Sequence, residues 1–223
     1  LGYNTTFLSA GSAPSLNAWH HIAVCRSGTT LSIFVDGVRT GTTTNSTNFS
    51  ANNDIKIGNF SSSYVNGQLS NLRIVKGSVL YTSNFTPSTA PLTAVANTAI
   101  LTCQSNQFID KSTNNYAITV SGTPRIQRFS PFAPTAAYSA ATYGGSAYFG
   151  GTSYLSIPNN SAFTFGAPSG NTNDFSIEFW CYPIGTGIIQ PFSAAYSQNN
   201  HWTFALNRRG SDGANIVGYV QFY

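Results

Sequence analysis

The sequence predicts an all-β protein. Short runs in which apolar and polar residues alternate recur along all 223 residues, and Gly, Pro, Asn and Asp separate these runs. Helical periodicity is absent almost everywhere. The chain is 41% hydrophobic and 14% aromatic, which is enough for a substantial core. One large β-domain or two small ones would fit this length.

The clearest element is a β-meander between residues 19 and 40. Two runs, residues 19–26 and 31–35, flank a Ser-Gly-Thr-Thr connection. Asp36-Gly37 is a hairpin signal, because both central residues of a type I′ turn need φ above zero. Residues 38–40 then return beside the second run.

Other strands are predicted in order on both sides of this meander. The run at 174–182 is nearly all apolar, which is typical of a strand buried on both faces. The remaining strands are predicted at residues 2–9, 55–57, 67–75, 99–103, 116–120, 202–207 and 216–223, with two more between 144 and 158.

Several of these segments together resemble the laminin-G-like (concanavalin A-like) family. The residues that carry the resemblance to the closing half of such a domain are Trp19-His20-His21-Ile22-Ala23-Val24, Ile33-Phe34-Val35-Asp36-Gly37, Ile55-Lys56-Ile57-Gly58 and residues 67–74. Residues 145–149, 154–158 and 175–180 resemble its opening half. The resemblance implies an antiparallel jelly-roll β-sandwich. Residues 71–86 and 101–110 also resemble laminin-G-like repeats in large structural proteins of marine bacteriophages.

The two halves stand in the reverse of the family's order. We therefore predict the C-terminal half of a sandwich in residues 1–86, a linker rich in Pro, Thr and Ala in 87–98, and the N-terminal half of a sandwich in 99–223. Either a tandem array was cut in the middle of a domain, or the chain is a circular permutant whose halves close on each other. Because the sequence begins with Leu1 and contains no methionine, we also expect it to be part of a longer protein.

The composition favours an extracellular or virion-surface protein. Only 7% of residues are charged, so Ser, Thr, Asn, Gln and Gly must supply the polar surface. The ten basic residues are scattered and the net charge is only +4, which disfavours nucleic-acid binding. No apolar run is long enough to cross a membrane as a helix. The expected partners are copies of the chain or neighbouring repeats, with a glycan as a further candidate.

The sequence predicts no enzyme. Glucanases with this type of fold carry several carboxylates on one strand, but the only glutamate of this chain is Glu178, and the nearest acidic residue in sequence is Asp174. His20 and His21 should point to opposite faces of one strand, so we expect one to be buried and hydrogen-bonded and the other exposed.

No cofactor is expected, although a calcium site stays open. The carboxylates available on predicted loops are those of Asp54, Asp110, Asp174 and Asp212, and they form no acidic cluster in the sequence. The three cysteines lack the spacing of a zinc site, and we expect them to be free and buried: Cys25, Cys103 and Cys181.

Glycan binding requires an exposed aromatic ring beside amide or acidic side chains. The candidates on polar loops are Tyr64, Asn66, Asn199, His201 and Trp202. For Tyr64 and Trp202, the alternative of ordinary packing at the rim is favoured. The residues predicted to be structural core are Trp19, Ile33, Val35, Ile74, Phe179 and Trp180.

Two functions are therefore weighed. The first is a non-enzymatic structural or adhesion module of a repetitive surface or virion fibre protein that contacts host-surface glycans. The second is a secreted lectin-like domain of a bacterial adhesin or extracellular filament. Sugar-specific binding at micromolar concentration by the isolated domain would favour the second.

Overall fold

The computed structural model describes residues 8–10, 14–49, 53–60, 62–132, 139–166, 174–184, 189–194, 202–209 and 215–222. The strands of the first part are β1 (Leu8–Ser9), β2 (His20–Ser27), β3 (Thr30–Val35), β4 (Val38–Thr44), β5 (Ile55–Ile57), β6 (Asn59–Phe60), β7 (Ser63–Tyr64) and β8 (Asn66–Lys76). The later strands are β9 (Thr98–Thr102), β10 (Thr119–Ser121), β11 (Arg125–Gln127), β12 (Ser146–Gly150), β13 (Tyr154–Ile157), β14 (Phe175–Pro183), β15 (Ile189–Ala194), β16 (Trp202–Arg209) and β17 (Asn215–Phe222). A four-residue helix, α1 (Ala140–Tyr143), and a 3₁₀ turn (Ser161–Phe163) are the helical elements of the described chain, and neither could span a membrane.

Two antiparallel sheets form a β-sandwich, as predicted. Sheet I has seven strands in the order β1-β17-β16-β15-β5-β13-β10. Sheet II has eight strands, in the order β11-β12-β8-β14-β2-β3-β4, with β9 also paired to β8. One apolar cluster from both sheets fills the space between them, and burying this surface is the main force that holds the sheets together.

Strands from the two predicted halves lie side by side in both sheets. In sheet II, β14 pairs with β2 on one side and with β8 on the other. In sheet I, β5 lies between β13 and β15, and the terminal strands β1 and β17 pair with Leu8 opposite Phe222. Each sheet of the described chain therefore contains strands from both predicted halves. Most of residues 87–98 form the second half of the connection between β8 and β9, two neighbouring strands of sheet II, and Leu92 in this stretch is buried.

Some of the predicted core residues lie between the two sheets, and others lie outside this core cluster. Ile33, Ile74 and Phe179 are buried between the sheets, and the half-buried Val35 packs against the same cluster. Trp19 and Trp180 lie outside this cluster and are half-buried. In β14, side chains alternate: Phe179 faces the core, and Trp180 therefore points to the outer face of sheet II, the face turned away from sheet I.

Residues 78–93, here named the cover segment, lie across this outer face. Val79, Tyr81 and Phe85 of the segment pack on a second apolar cluster formed by Ala23, Cys25 and Phe34. The Leu80 N–H donates to Ser176 Oγ at 2.7 Å, and the Leu92 N–H donates to Asn71 Oδ1 at 2.8 Å. The cover segment explains why much of β14 is buried on both faces.

The three cysteines are free and buried, as predicted. Burial raises the pKa of the Cys25 thiol and of the Cys103 thiol to about 12, and it also raises the pKa of Cys181. All three thiols are therefore protonated at neutral pH and act as small apolar side chains.

The Asp36-Gly37 hairpin has the predicted backbone, with φ of 51° at Asp36 and 79° at Gly37. A Cβ at Gly37 would collide with the carbonyl oxygen of Phe85 in the cover segment. At Gly28, whose φ is 57°, a Cβ would meet no atom within 4 Å. Alanine substitutions at Gly28 and Gly37 can therefore distinguish backbone strain alone from backbone strain combined with a steric collision.

We expect Gly28→Ala to lower the free energy of unfolding by about 1–2 kcal/mol, through left-handed backbone strain alone. Gly37→Ala should cost about 1–3 kcal/mol more, because the cover segment must also move. Urea denaturation of both variants measures the difference. Equal losses would show that the cover segment does not lie against this turn.

Candidate functional site

The only glutamate, Glu178, is fully enclosed by donors on the outer face of sheet II. Its side chain is 1% exposed. Arg73 donates to Oε1 through Nε at 2.8 Å and Nη2 at 2.5 Å, while His21 Nε2 and the Tyr81 hydroxyl reach Oε2 at 3.1 and 2.9 Å. Arg73 Nη1 also donates to the Thr93 carbonyl at 2.7 Å, so this ion cluster holds both ends of the cover segment.

The surroundings of Glu178 keep it ionised. Burial by itself would raise the pKa of Glu178, but the hydrogen bond from His21 and the charge of Arg73 outweigh burial and lower it. A general acid needs the opposite shift, and glycoside hydrolysis needs a second carboxylate about 5–10 Å away. The hydrogen-bond partners of Glu178 are an arginine, a histidine and a tyrosine. This arrangement is that of a structural ion cluster.

The two adjacent histidines point to opposite faces, as predicted. His21 is buried and bound to Glu178. His20, the other histidine of the pair, is half-buried rather than exposed. Its Nδ1 lies 2.7 Å from Asp36 Oδ2 and its Nε2 lies 2.9 Å from Ser15 Oγ.

In the described chain, the aspartates considered as calcium ligands accept hydrogen bonds from backbone N–H groups. Asp110 is buried and accepts hydrogen bonds from the N–H groups of Leu101, Ser112 and Tyr116. Asp54 accepts from the Asn159 N–H, and Asp174 accepts from the Gly28 N–H. Asp212 lies outside the described residues. Among those that are described, no three His, Cys, Asp or Glu side chains are grouped as metal ligands.

The glycan-binding candidates from the sequence have different positions. Tyr64 is half-buried in β7, and Asn66 is exposed at the start of β8. Trp202 packs inside the protein rather than at an open sugar platform: its side chain is 0% exposed, its Nε1 donates to the Phe163 carbonyl at 3.1 Å, and its ring lies 5.0 Å from that of Phe192. Asn199 and His201 lie outside the described residues.

The structure brings together a different set of aromatic and polar side chains. Arg125 of β11 pairs with Tyr148 of β12, Tyr148 pairs with Gln68 of β8, and Gln68 pairs with Tyr182 of β14. Directly opposite residues of antiparallel strands point to the same face. Because the sequence neighbours Leu69, Phe149 and Cys181 face the core, this transverse row lies on the outer face of sheet II.

Two more rings complete this surface beside Tyr182. The centroids of Trp19 and Phe129 are 5.6 and 4.9 Å from that of Tyr182, and 5.4 Å from each other. We name Trp19, Phe129, Tyr148 and Tyr182 the aromatic patch. Phe129 is 40% exposed, and the other three side chains are half-buried.

Polar groups lie beneath and beside the aromatic patch. Gln68 is buried under it, and the Ser146 hydroxyl lies 2.6 Å from both Gln68 Oε1 and the Phe129 carbonyl, which fixes the backbone that carries the Phe129 ring. Asn66 is exposed two residues before Gln68 in β8, and Arg125 is exposed at the end of the row. Rings that are held in place and partly open to solvent, next to amide and guanidinium groups, can stack on a sugar ring and bind its hydroxyls.

None of the other patch residues was predicted from the sequence, which placed Trp19 in the core. A signal was present, since Trp180 and Tyr182 alternate with Phe179 and Cys181 in one strand. Alternation showed two faces for β14, but the neighbours of Tyr182 are Gln68 of β8 and the loop residues Trp19 and Phe129, all distant in sequence.

Comparison with known families gives a match for the first part of the chain. Residues 2–81 match the family model of the concanavalin A-like lectin/glucanases superfamily of the laminin-G type. This match supports the jelly-roll sandwich and fits a carbohydrate-binding or structural module. Neither the curated proteins nor the solved structures contain a match to this chain.

Proposed function

We propose that this protein is a non-enzymatic structural and adhesion module that contacts glycans through the aromatic patch. The observation that carries the proposal is the patch itself, in which four rings lie at the surface beside Gln68, Asn66 and Arg125. Aromatic side chains bury large areas at low entropic cost, and partly exposed clusters of them mark binding surfaces. The lectin-type family match supports a sugar as the ligand.

The setting that we propose is a repetitive surface protein or a virion fibre outside the cell. The low content of charged residues and the resemblance to bacteriophage repeats support it. In such a protein each sandwich would supply one weak contact. Repetition would convert weak contacts into avidity, because each later binding event is intramolecular. The module then needs only millimolar affinity for one glycan.

A secreted lectin-like adhesin domain is the second candidate, and the lectin-type match favours it. It would use the same patch, but the single module would have to bind without repetition. A dissociation constant in the micromolar range for the isolated chain would support this candidate, whereas millimolar binding that tightens strongly on a multivalent display would support the fibre.

We expect Phe129→Ala to weaken glycan binding at least tenfold, which is about 1.4 kcal/mol, because Phe129 is the most exposed ring of the patch. The measurement is a glycan array followed by titration of the best ligand. The matched control is Tyr154→Ala, which removes a half-buried tyrosine from β13 of sheet I, where its ring stacks under Lys56 at 5.1 Å.

Equal losses in Phe129→Ala and Tyr154→Ala would contradict the assignment of the site. Concentration-dependent dimerisation that Phe129→Ala abolishes, with no glycan bound, would show that the patch contacts a second copy instead. Circular dichroism of both variants would confirm that each remains folded.

A further inference from the structure

We infer that Ser15 is an activated nucleophile that accepts an acyl group from an activated carboxylic ester. The inference goes beyond the proposed function, which concerns the aromatic patch. Its basis is a chain of three side chains where β2 begins and β3 turns into β4. Ser15 Oγ lies 2.9 Å from His20 Nε2, and His20 Nδ1 lies 2.7 Å from Asp36 Oδ2. A hydroxyl, an imidazole and a carboxylate joined in this order make the serine oxygen a nucleophile.

The turn between β3 and β4 holds the Asp36 carboxylate beside the imidazole. The Asp36 N–H donates to the His21 carbonyl, and Asp36 Oδ1 accepts from the His21 N–H, each at 2.8 Å. These two bonds fix the backbone and one carboxylate oxygen of Asp36 without any contribution from His20. The second oxygen, Oδ2, is therefore presented to Nδ1 of His20, the first residue of β2.

A second turn brings the Ser15 hydroxyl to the other nitrogen of the same ring. Asn17 has a φ of 58°, and its N–H donates to the carbonyl of Pro183, the last residue of β14, at 2.9 Å. Ser15 is exposed, whereas the His20 side chain is 15% exposed. A reagent can therefore reach the hydroxyl while most of the imidazole is shielded from water.

The hydrogen-bond chemistry sets where the protons lie. An ionised carboxylate only accepts hydrogen bonds, so His20 Nδ1 carries a hydrogen and donates it to Asp36. In the neutral imidazole the other nitrogen is then an acceptor, and the Ser15 hydroxyl donates to Nε2. This is the tautomer that can take the serine proton as a general base.

The transfer is balanced by these three groups and the ester. Ser15 Oγ attacks the carbonyl carbon of the ester while His20 Nε2 takes the hydroxyl proton, and Asp36 stabilises the imidazolium that forms. The bond from the carbonyl carbon to the leaving oxygen then breaks, and His20 returns the proton to that oxygen. The products are acyl-Ser15 and one free alcohol.

The turn at Asn17 limits the reaction to a single transfer. Turnover needs preorganised N–H donors for the oxyanion of each tetrahedral intermediate. The Asn17 N–H, two residues after the nucleophile, is already bound to the Pro183 carbonyl. Esters with good leaving groups react without that donor, whereas hydrolysis of the acyl-serine that remains is much slower. Ser15 is therefore a site of covalent modification, and the module stays non-enzymatic.

The test is acetylation of the whole chain by p-nitrophenyl acetate, followed by mass spectrometry of the intact protein and of its peptides. We expect one acetyl group per chain, on Ser15, and its loss in Ser15→Ala. His20→Gln should lower the rate roughly a hundredfold and abolish its sigmoidal rise with pH. The matched control is Ser83→Ala, which removes an exposed serine of the cover segment and should leave the rate unchanged.

Asp36→Asn distinguishes a positioning role of Asp36 from a merely structural one. Asn before Gly suits this type of turn, and its side-chain oxygen can still accept from the His21 N–H, so stability should not change. The acetylation rate should nevertheless fall about tenfold or more, because the amide no longer holds the imidazole in the required tautomer.

Acetylation of Asp36→Asn or His20→Gln at the wild-type rate would overturn the inference, as would acetyl groups on other residues in place of Ser15. Release of nitrophenol that continues past one equivalent and requires Ser15 would overturn the single transfer and the non-enzymatic character of the module. Glycan binding by Ser15→Ala should equal that of wild type, so failure of the acetylation test leaves the glycan site standing.

Discussion

Arg73→Ala should lower the free energy of unfolding by about 3–5 kcal/mol, because it leaves the buried Glu178 carboxylate without its cation. Arg73 donates twice to Glu178 Oε1 and once to the Thr93 carbonyl, so the substitution also frees one end of the cover segment. Equilibrium unfolding in urea, with the slope checked for constancy, measures the loss.

Arg39→Ala is the matched control for this substitution. Arg39 is also a strand residue of sheet II and also donates to a carbonyl of the cover segment, from Nη1 to Thr82 at 3.1 Å, but it is exposed. Its loss should change stability by no more than about 0.5 kcal/mol. If both variants lose the same amount, the buried ion cluster does not stabilise the fold in the way that the geometry indicates.

The pH dependence of folding stability tests the same ion cluster independently. The pKa of Glu178 in the folded protein is below its ordinary value of 4.5. The ionised carboxylate therefore adds stability that is fully present above pH 4.5 and is lost as the pH falls through the folded-state pKa. Wild type should exceed Glu178→Gln in stability at neutral pH, and the difference should shrink below pH 4.5. A constant difference across this range would contradict the lowered pKa.

Trp202→Ala should cost about 3–5 kcal/mol, because it opens a large cavity between the sheets. The Trp202 ring packs against Phe165 and Phe192, with centroids 5.0 Å away in each case. Trp202→Phe should cost less, since it keeps most of the packing and loses the hydrogen bond from Nε1 to the Phe163 carbonyl, worth about 1–3 kcal/mol when the acceptor is left unpaired. Thermal and urea unfolding measure both variants.

Comparing the stability and the glycan binding of Trp202→Ala with those of Phe129→Ala tests whether Trp202 is a core residue. Phe129 is 40% exposed, so its truncation should affect glycan binding far more than stability. Trp202→Ala should show the reverse. If Trp202→Ala kept its stability and lost glycan binding, Trp202 would be a sugar platform after all, and its position between the sheets would be wrong.

The sequence by itself determined the local features of this protein. Alternation predicted the β-strands, the Asp-Gly pair predicted a turn with positive φ at both residues, and the absence of a zinc pattern predicted three free, buried cysteines. These features depend on residues that are neighbours in the chain, where side-chain periodicity and turn chemistry act directly. The β-sandwich was predicted from the family resemblance.

Only the tertiary structure decided the environment of each side chain. Glu178 meets His21 and Arg73, which are 157 and 105 residues away in sequence, and these contacts make it a buried structural anion. Trp202 is buried, and Tyr182 meets the rings of Trp19 and Phe129 from two loops, because the sheet order brings distant parts of the chain together. A strand's alternation shows that it has two faces, whereas the packing of the two sheets and of the cover segment decides which face meets solvent.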